Sequence, residues 1–216
     1  MESVAGVGRR NPTRAVRVGR NELLLSGTVT RTTELESIYI IGYFGVTSRW
    51  LRSENRLAGQ VFDRYGTEYR LRPLPDTIGE ADPAHPLRVD LTAHGFPFFA
   101  GRITLTRQVQ LPVVNPDLHL EIDRLHAALV QVRVNGQQAG AAAWPPHRVK
   151  IAEYAQVGDN TIEIELVGTL RNLLGPHHLA GGDPNRTNPE QFRDKTRWTN
   201  DTILTPFGWD QVRLSW

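Results

Sequence analysis

The chain has 216 residues, of which 39% are hydrophobic and 22% are charged, with 25 basic and 23 acidic side chains. This composition is that of a globular protein with a sizeable core, and it excludes a disordered or fibrous chain. The absence of cysteine excludes disulfides, thiol nucleophiles and thiolate metal sites. No apolar run is long enough for a membrane span. The first residues lack an apolar signal segment, so we expect a soluble chain without a signal peptide, in a compartment that the sequence does not specify.

Arginine supplies almost all of the positive charge, since only two of the 25 basic residues are lysines. Five arginines cluster near the beginning of the sequence, at Arg9, Arg10, Arg14, Arg17 and Arg20. We interpret residues 1–20 as an Arg-rich tail or linker remnant and residues 21–216 as a single domain. The other arginines alternate with acidic residues and do not form the basic stripe typical of nucleic-acid binding. We therefore expect neither a nucleic acid nor a membrane as partner.

The first half of the chain carries mixed strand signals. Apolar residues at 23–29 and 38–46 predict two strands, and the nearly continuous apolar run of the second predicts burial on both faces. Residues 47–86 contain several prolines and are expected to form a long connection, with a strand at 61–62 or at 69–71.

The second half alternates more regularly between apolar and polar residues, as half-buried strands do. The alternation predicts strands at 103–111, 130–134 and 162–166. Asn135-Gly136 follows the second of these strands and predicts a type I′ hairpin turn, because both residue types tolerate positive φ. Residues 175–200 are expected to form a second long connection with one short helix at 189–198. The pattern predicts an all-β antiparallel sandwich with long loops.

Several motifs follow one another between Gly95 and His178. They are Gly95–Gly101 (GFPFFAG), Val134–Gly136 (VNG), Gly140–Pro146 (GAAAWPP), Gly158–Asn160 (GDN) and Gly168–His178 (GTLRNLLGPHH). In this order they resemble the sugar-binding-type, galactose-binding-like jelly-roll domain of large bacterial glycoside hydrolases, such as family 2 and α-L-rhamnosidase-like enzymes. The chain departs from the family pattern at Phe96 and Phe99, where tyrosine is common, and at His94, where glutamine is expected.

The resemblance covers roughly residues 20–216 and implies a jelly-roll domain beside a larger catalytic module. It implies a non-catalytic accessory domain that binds carbohydrate or supports that module. Sugars are recognised by aromatic rings that stack on the pyranose face and by planar polar groups that bind hydroxyls. The candidate binding residues are Trp144, Arg171, His177, His178, Trp198 and Trp209. Core or interface packing is at least an equal alternative for each tryptophan. The alternatives are a salt bridge or an interface for Arg171, and hydrogen bonds to loop backbone or an interface for the histidines.

The seven histidines show no metal-ligand spacing, so we expect no zinc and no organic cofactor. Jelly rolls of the resembling type often hold a structural calcium ion, and Asp183 is the candidate ligand here, with a plain turn as the alternative. We predict no catalytic residue in the chain. Two other functions remain open. One is a stand-alone glycoside hydrolase that uses loop carboxylates such as Asp183, Glu190, Asp194 or Asp201. The other is a module that binds a protein through exposed aromatic patches.

Overall fold

The computed structural model describes residues 19–20, 22, 27–33, 39–57, 60–75, 78, 88–175, 177–181, 183 and 198–216. For residues 53–57 and 60 it describes the backbone alone. The chain divides into two compact units, Met1–Ile41 and Gly42–Trp216. In the first unit the described residues include one turn, in which the Thr33 N–H donates to the carbonyl of Thr30. The domain boundary expected at residue 20 stays a prediction.

In the described part of the second unit, the regular secondary structure is almost entirely β-strand. The strands are β1 Gly45–Thr47, β2 Trp50–Leu57, β3 Gln60–Tyr65, β4 Arg70–Arg72, β5 Val89–Asp90, β6 Arg102–Leu111, β7 His119–His126, β8 Leu129–Val134, β9 Gln137–Ala142, β10 His147–Lys150, β11 Gly158–Val167, β12 Thr202–Leu204 and β13 Gly208–Ser215. A single-turn helix, α1 (Arg171–Leu174), follows β11. Within the described ranges, no helix has both the length and the apolar character that crossing a membrane would require.

Two four-stranded antiparallel sheets form the sandwich. One has the strand order β6-β11-β8-β9 and the other β10-β7-β13-β5. Strands β6 and β11 pair along their whole length, from Leu111 opposite Gly158 to Arg102 opposite Val167. The predicted all-β sandwich is confirmed, and so are the strands predicted at 103–111, 130–134 and 162–166.

Alternate residues of the two sheets point inward and form one core. Six of these buried side chains lie on β8 and β11: Val130, Val132, Val134, Ile162, Ile164 and Leu166. Leu120 and Ile122 of β7 and Val149 of β10 belong to the same core from the opposite sheet. Burial of each such aliphatic side chain stabilises the fold by about 1.5–3 kcal/mol relative to exposure. The hydrophobic alternation therefore determines which face of each strand is covered.

The turn between β8 and β9 has the geometry that the sequence predicts. Asn135 has φ 52° and Gly136 has φ 78°, the positive values that a type I′ turn requires at both central positions.

The connection expected at 47–86 contains more strand than predicted, because β2, β3 and β4 lie within it. The strand predicted at 61–62 is part of β3, and residues 70–71 of the alternative at 69–71 belong to β4. Strand β3 pairs with β2 and β12 in a three-stranded sheet, and β4 pairs with β1. The sequence of β2, WLRSENRL, places polar residues at consecutive positions and so has no two-residue hydrophobic period. Backbone pairing with β3 forms this strand without a hydrophobic pattern.

The strand predicted at 38–46 is wrong for most of its described length. Residues 39–44 are irregular, and only Gly45 and Val46 belong to a strand. Burial on both faces is also wrong, since Ile40 and Ile41 are exposed and Tyr43 is 99% exposed. A short continuous apolar run has no period and does not by itself specify a strand. Residues 27–29 of the strand predicted at 23–29 are irregular, while 23–26 lie outside the described residues. Residues 189–197 of the helix predicted at 189–198 also lie outside them, and Trp198 forms a β-bridge with Leu179.

The strand register places several connections at one end of the sandwich. Val167 at the end of β11 pairs with Leu129 at the beginning of β8. His126 at the end of β7 pairs with Gly208 at the beginning of β13, and Ala142 ends β9 beside the beginning of β8. We call this end the α1 end, and it carries residues 127–128, 143–146, 168–174 and 205–207. The opposite end carries the β8–β9 turn and the end of β13.

Candidate functional site

A cleft of about 340 Å³ lies at the α1 end. Its apolar lining consists of Val61, Phe62, Leu125, Ala127 and Pro206, and its polar lining consists of His126, Thr169, Arg171, Asp183 and Thr205. Apolar side chains and polar groups thus contribute equally to the lining, and a small-molecule site likewise combines an apolar surface with convergent polar groups. Because the lining comes from β3, β7, α1 and the β12–β13 connection, the cleft exists only in the folded domain.

Arg171 and Asp183 form an ion pair in this cleft. Arg171 Nε donates to Asp183 Oδ1 at 2.7 Å, and Arg171 Nη1 donates to the carbonyl of Ile203 at 3.4 Å. The guanidinium carbon lies 6.0 Å from the centre of the Phe62 ring. Nη2 of Arg171 is buried without a hydrogen-bond partner in the described structure. The bonds through Nε and Nη1 fix the guanidinium plane.

Asn172 holds α1 in place beside the cleft. Its Nδ2 donates to the carbonyl of Thr205 at 2.8 Å. Its Oδ1 accepts from the N–H of Thr205 at 2.9 Å and from the hydroxyl of Thr205 at 3.0 Å. The side chain of Asn172 is buried, so these bonds form out of water. Asn172 thereby links α1, which carries Arg171, to the β12–β13 connection.

His126 lines the cleft and is oriented by a carboxylate. Its Nε2 lies 3.1 Å from Oδ1 of Asp210. Asp210 also lies near Arg88, with 3.7 Å to Nε, and near Arg124, with 3.5 Å to Nη1. Arg124 has φ 47°, a conformation that is uncommon for residues other than glycine. The sequence analysis missed this cluster because its members lie on three strands or strand flanks that are distant in sequence.

Two buried carboxylates lie close to the same arginine. Arg88 Nη2 is 3.5 Å from Oδ2 of Asp90 and 3.9 Å from Oδ2 of Asp63. Burial raises the pKa of Asp90, and the negative charge of Asp63 raises it further. Burial likewise raises the pKa of Tyr65, with added contributions from both carboxylates. The sequence analysis missed this cluster too, and no motif or spacing of these residues signals it.

The two predicted histidines form hydrogen bonds with backbone carbonyls. His177 Nε2 donates to the carbonyl of Asn172 at 2.7 Å, and burial lowers the pKa of His177. His178 Nδ1 lies 3.1 Å from the carbonyl oxygen of Asp201. The His178 ring stacks on Trp198 with 6.1 Å between ring centres and 22° between planes. Hydrogen bonds to loop backbone, the alternative considered for these histidines, are thus present for His178, whereas His177 binds the backbone of α1.

The three predicted tryptophans have different environments. Trp198 is 49% exposed and borders the His178 ring, whereas Trp144 is 81% exposed in the β9–β10 connection. Trp209 is 6% exposed and packs in the hydrophobic core, the alternative considered for it from the sequence. The structure therefore brings Arg171, His177, His178 and Trp198 together. It places Trp144 at the same end of the sandwich and Trp209 inside.

The candidate acidic residues occupy ion pairs where they are described. Asp183 binds Arg171, and Asp201 Oδ2 lies 3.2 Å from Nη1 of Arg64. Glu190 and Asp194 lie outside the described residues. Among the described residues, no group of three or more histidine, aspartate or glutamate side chains is arranged to hold a metal ion. A calcium ion at Asp183 stays a prediction.

No protein-family model matches the chain, and no curated protein matches it. Among solved structures, a rhamnosidase from Novosphingobium sp. PP1Y is similar at 23% identity and a TM-score of 0.40, over 82% of this chain and 16% of that one. A β-D-glucuronidase from Dictyoglomus thermophilum is similar at 16% identity and a TM-score of 0.31, over 76% of this chain and 28% of that one. Bifidobacterium dentium β-glucuronidase, complexed with coumarin-3-O-glucuronide, is similar at 14% identity and a TM-score of 0.32, over 76% and 29%. The chain thus spans less than a third of the length of each of these glycoside hydrolases.

Proposed function

We propose that this chain is a non-catalytic carbohydrate-binding domain that accompanies a glycoside hydrolase, and that its binding surface is the α1 end of the sandwich. The observation that carries the proposal is the cleft, whose lining combines the Arg171–Asp183 pair and His126 with five apolar side chains. Fixed planar polar groups form hydrogen bonds with the hydroxyl groups of a sugar, and an apolar surface packs against the C–H face of its ring.

Exposed aromatic rings at the same end support the proposal. Trp198 is half exposed beside His178, and Trp144 extends into solvent from the β9–β10 connection. An exposed indole offers a flat, rigid surface on which a pyranose ring stacks. The ordered motifs from Gly95 to His178 point to the same function from the sequence.

Intrinsic tryptophan fluorescence tests the proposal directly, because the chain has five tryptophans. We expect saturable quenching or a blue shift with at least one class of oligosaccharide in a panel of plant and bacterial glycans. Trp144→Ala or Trp198→Ala should weaken that binding at least about tenfold, as loss of a stacked ring does. Trp216→Ala is the matched control, because Trp216 is 74% exposed but follows β13 at the opposite end of the sandwich.

The panel also separates the alternatives. Turnover of aryl glycosides by the chain alone would contradict the non-catalytic assignment and favour a stand-alone hydrolase. A flat response in both fluorescence and calorimetry would contradict carbohydrate binding. In that case a protein-interaction module is the second candidate, favoured by Leu170 and Leu174, which are exposed one helical turn apart at the α1 end.

A further inference from the structure

We propose that Arg107 keeps the open edge of β6 from pairing with a second copy of this chain. Strand β6 lies at the end of its sheet, and in the described part of the chain it pairs with β11 alone. Its other edge therefore presents backbone N–H and C=O groups that could extend the sheet into another molecule. This role of Arg107 is independent of carbohydrate binding.

Arg107 interrupts the apolar side of β6. Alternate residues on that side pack in or against the core: Ile103, Leu105, Val109 and Leu111. Arg107 lies directly opposite Ile162 of β11, which is 4% exposed, and directly opposite residues share one face of a sheet. Arg107 is nevertheless exposed. Because the core fills the interior, its side chain reaches solvent at the open edge of β6.

Arg107 has no counter-ion in the part of the chain that the structure describes. No hydrogen bond or ion pair joins its side chain to another described residue. By contrast, Arg102 on the outer face of the same strand binds Glu165, with 2.9 Å between Nη1 and Oε1. A guanidinium without a protein partner depends on hydration, so covering it without supplying a partner costs free energy.

Self-pairing of β6 would cover this guanidinium. Two copies form a continuous antiparallel sheet with both cores on one face only if odd-numbered residues lie opposite odd-numbered ones, because a shift by one residue reverses the faces. The two longest such registers join residues 102–110 or 103–111 of one copy to the same residues of the other. In the first register Arg107 lies opposite Leu105 of the second copy, and in the second it lies opposite the second copy's Arg107.

The second copy brings no compensating charge on its β6 strand. The sequence of β6, RITLTRQVQL, contains two arginines and no acidic residue. Pairing would therefore cover Arg107 with leucine or place two guanidinium groups side by side, and like charges directly opposite each other destabilise a strand pair. A charge on the core side of an edge strand opposes edge-to-edge association for this reason.

Sedimentation velocity over a range of protein concentrations tests this role. We expect the wild-type chain to remain monomeric and Arg107→Val to form dimers, with an association constant at least about tenfold above the wild-type limit. Valine restores the apolar alternation and favours strand structure, so the variant should fold. Arg107→Lys keeps the charge and should remain monomeric. Arg133→Val is the matched control, because Arg133 is exposed on β8, a central strand whose two edges are both paired.

Hydrogen exchange measured by mass spectrometry locates the interface. In Arg107→Val the amides of β6 should exchange more slowly as the protein concentration rises, whereas in the wild-type chain their exchange should not depend on concentration. A monomeric Arg107→Val chain would overturn the inference, and so would its association without protection of β6. Equal association of Arg133→Val would show a general effect of added apolar surface and would overturn it as well. Concentration-dependent protection of β6 in the wild-type chain would show that the edge pairs despite Arg107.

Discussion

The side chains of Asn135 and Asn160 share a hydrogen bond of 2.9 Å that joins the β8–β9 turn to the beginning of β11. Asn135 Nδ2 also donates to the carbonyl of Tyr154, and its Oδ1 accepts from the N–H of Thr161. Asn160 is 1% exposed, accepts from the N–H of Gln156 and donates to the carbonyl of the same residue. This pair of side-chain amides, of which Asn160 is buried, thus organises the end of the sandwich opposite the cleft.

We expect Asn160→Ala to lower the free energy of unfolding by about 3 kcal/mol, because it removes the buried Asn160 amide and with it hydrogen bonds to Asn135, Gln156 and Gly158. Urea unfolding followed by circular dichroism measures the loss. Gln137→Ala is the matched control, since Gln137 is exposed next to the same turn, and its effect should stay within about 0.5 kcal/mol. Equal losses in the two variants would contradict a structural role for the Asn135–Asn160 pair.

Gly208, at the beginning of β13, has a backbone conformation that favours glycine and a close neighbour that leaves no room for a side chain. Its φ is 148°, and an added Cβ would collide with the carbonyl of Val89 on the neighbouring strand β5. We expect Gly208→Ala to lower the free energy of unfolding by about 3–5 kcal/mol, which thermal denaturation will detect as a large drop in Tm. At Gly181 an added Cβ meets no atom within 4 Å, so Gly181→Ala should change stability by less than about 1 kcal/mol. Similar Tm values for the two variants would refute the collision.

The sequence predicts the strands whose two faces have different environments. In β8 and β11, valine and isoleucine face the core while glutamine, glutamate and arginine face outward. The residue type at each position therefore indicates whether that position is buried. Strand β2 lacks this contrast because its sequence is polar at consecutive positions, and its formation depends on backbone pairing with β3. Pairing of that kind leaves no periodic signal in the sequence.

The candidate site was predictable only where its residues are close in sequence. Arg171, His177 and His178 belong to one motif, and the structure brings them together with Trp198. The His126–Asp210 contact joins residues that are 84 positions apart. It arises from the antiparallel register of β7 and β13, which places the end of one strand beside the beginning of the other. A single sequence does not encode such a register in any local spacing.

Asp90 should make the stability of the fold depend on pH. Burial, followed by the charge of Asp63, raises the pKa of Asp90 above its ordinary value of 3.8, so the folded state binds this proton more tightly than the unfolded state. The stabilisation from protonation is complete below pH 3.8 and is lost as the pH rises through the raised value. Asp90→Asn keeps an oxygen that accepts from the N–H groups of Thr92 and Phe207, and it cannot ionise.

The wild-type free energy of unfolding should therefore fall relative to that of Asp90→Asn as the pH increases from about 4 to 7. Urea unfolding of both chains across this range measures the difference. Asp117→Asn, which replaces an exposed carboxylate, gives the background expected for loss of one surface charge. A wild-type minus Asp90→Asn difference that is constant with pH would show that Asp90 does not titrate differently in the folded and unfolded states.

Asn172 should couple the stability of the domain to the geometry of the cleft. Asn172→Ala removes the bonds that its side chain makes with the N–H, carbonyl and hydroxyl of Thr205, and we expect a loss of about 3 kcal/mol in the free energy of unfolding. Thr205→Val removes only the hydroxyl bond and should cost about 1 kcal/mol. Because α1 also carries Arg171 into the cleft, Asn172→Ala should weaken glycan binding under conditions in which the variant remains folded. A variant that is destabilised but binds with wild-type affinity would show that the Arg171–Asp183 pair holds its position without this tie.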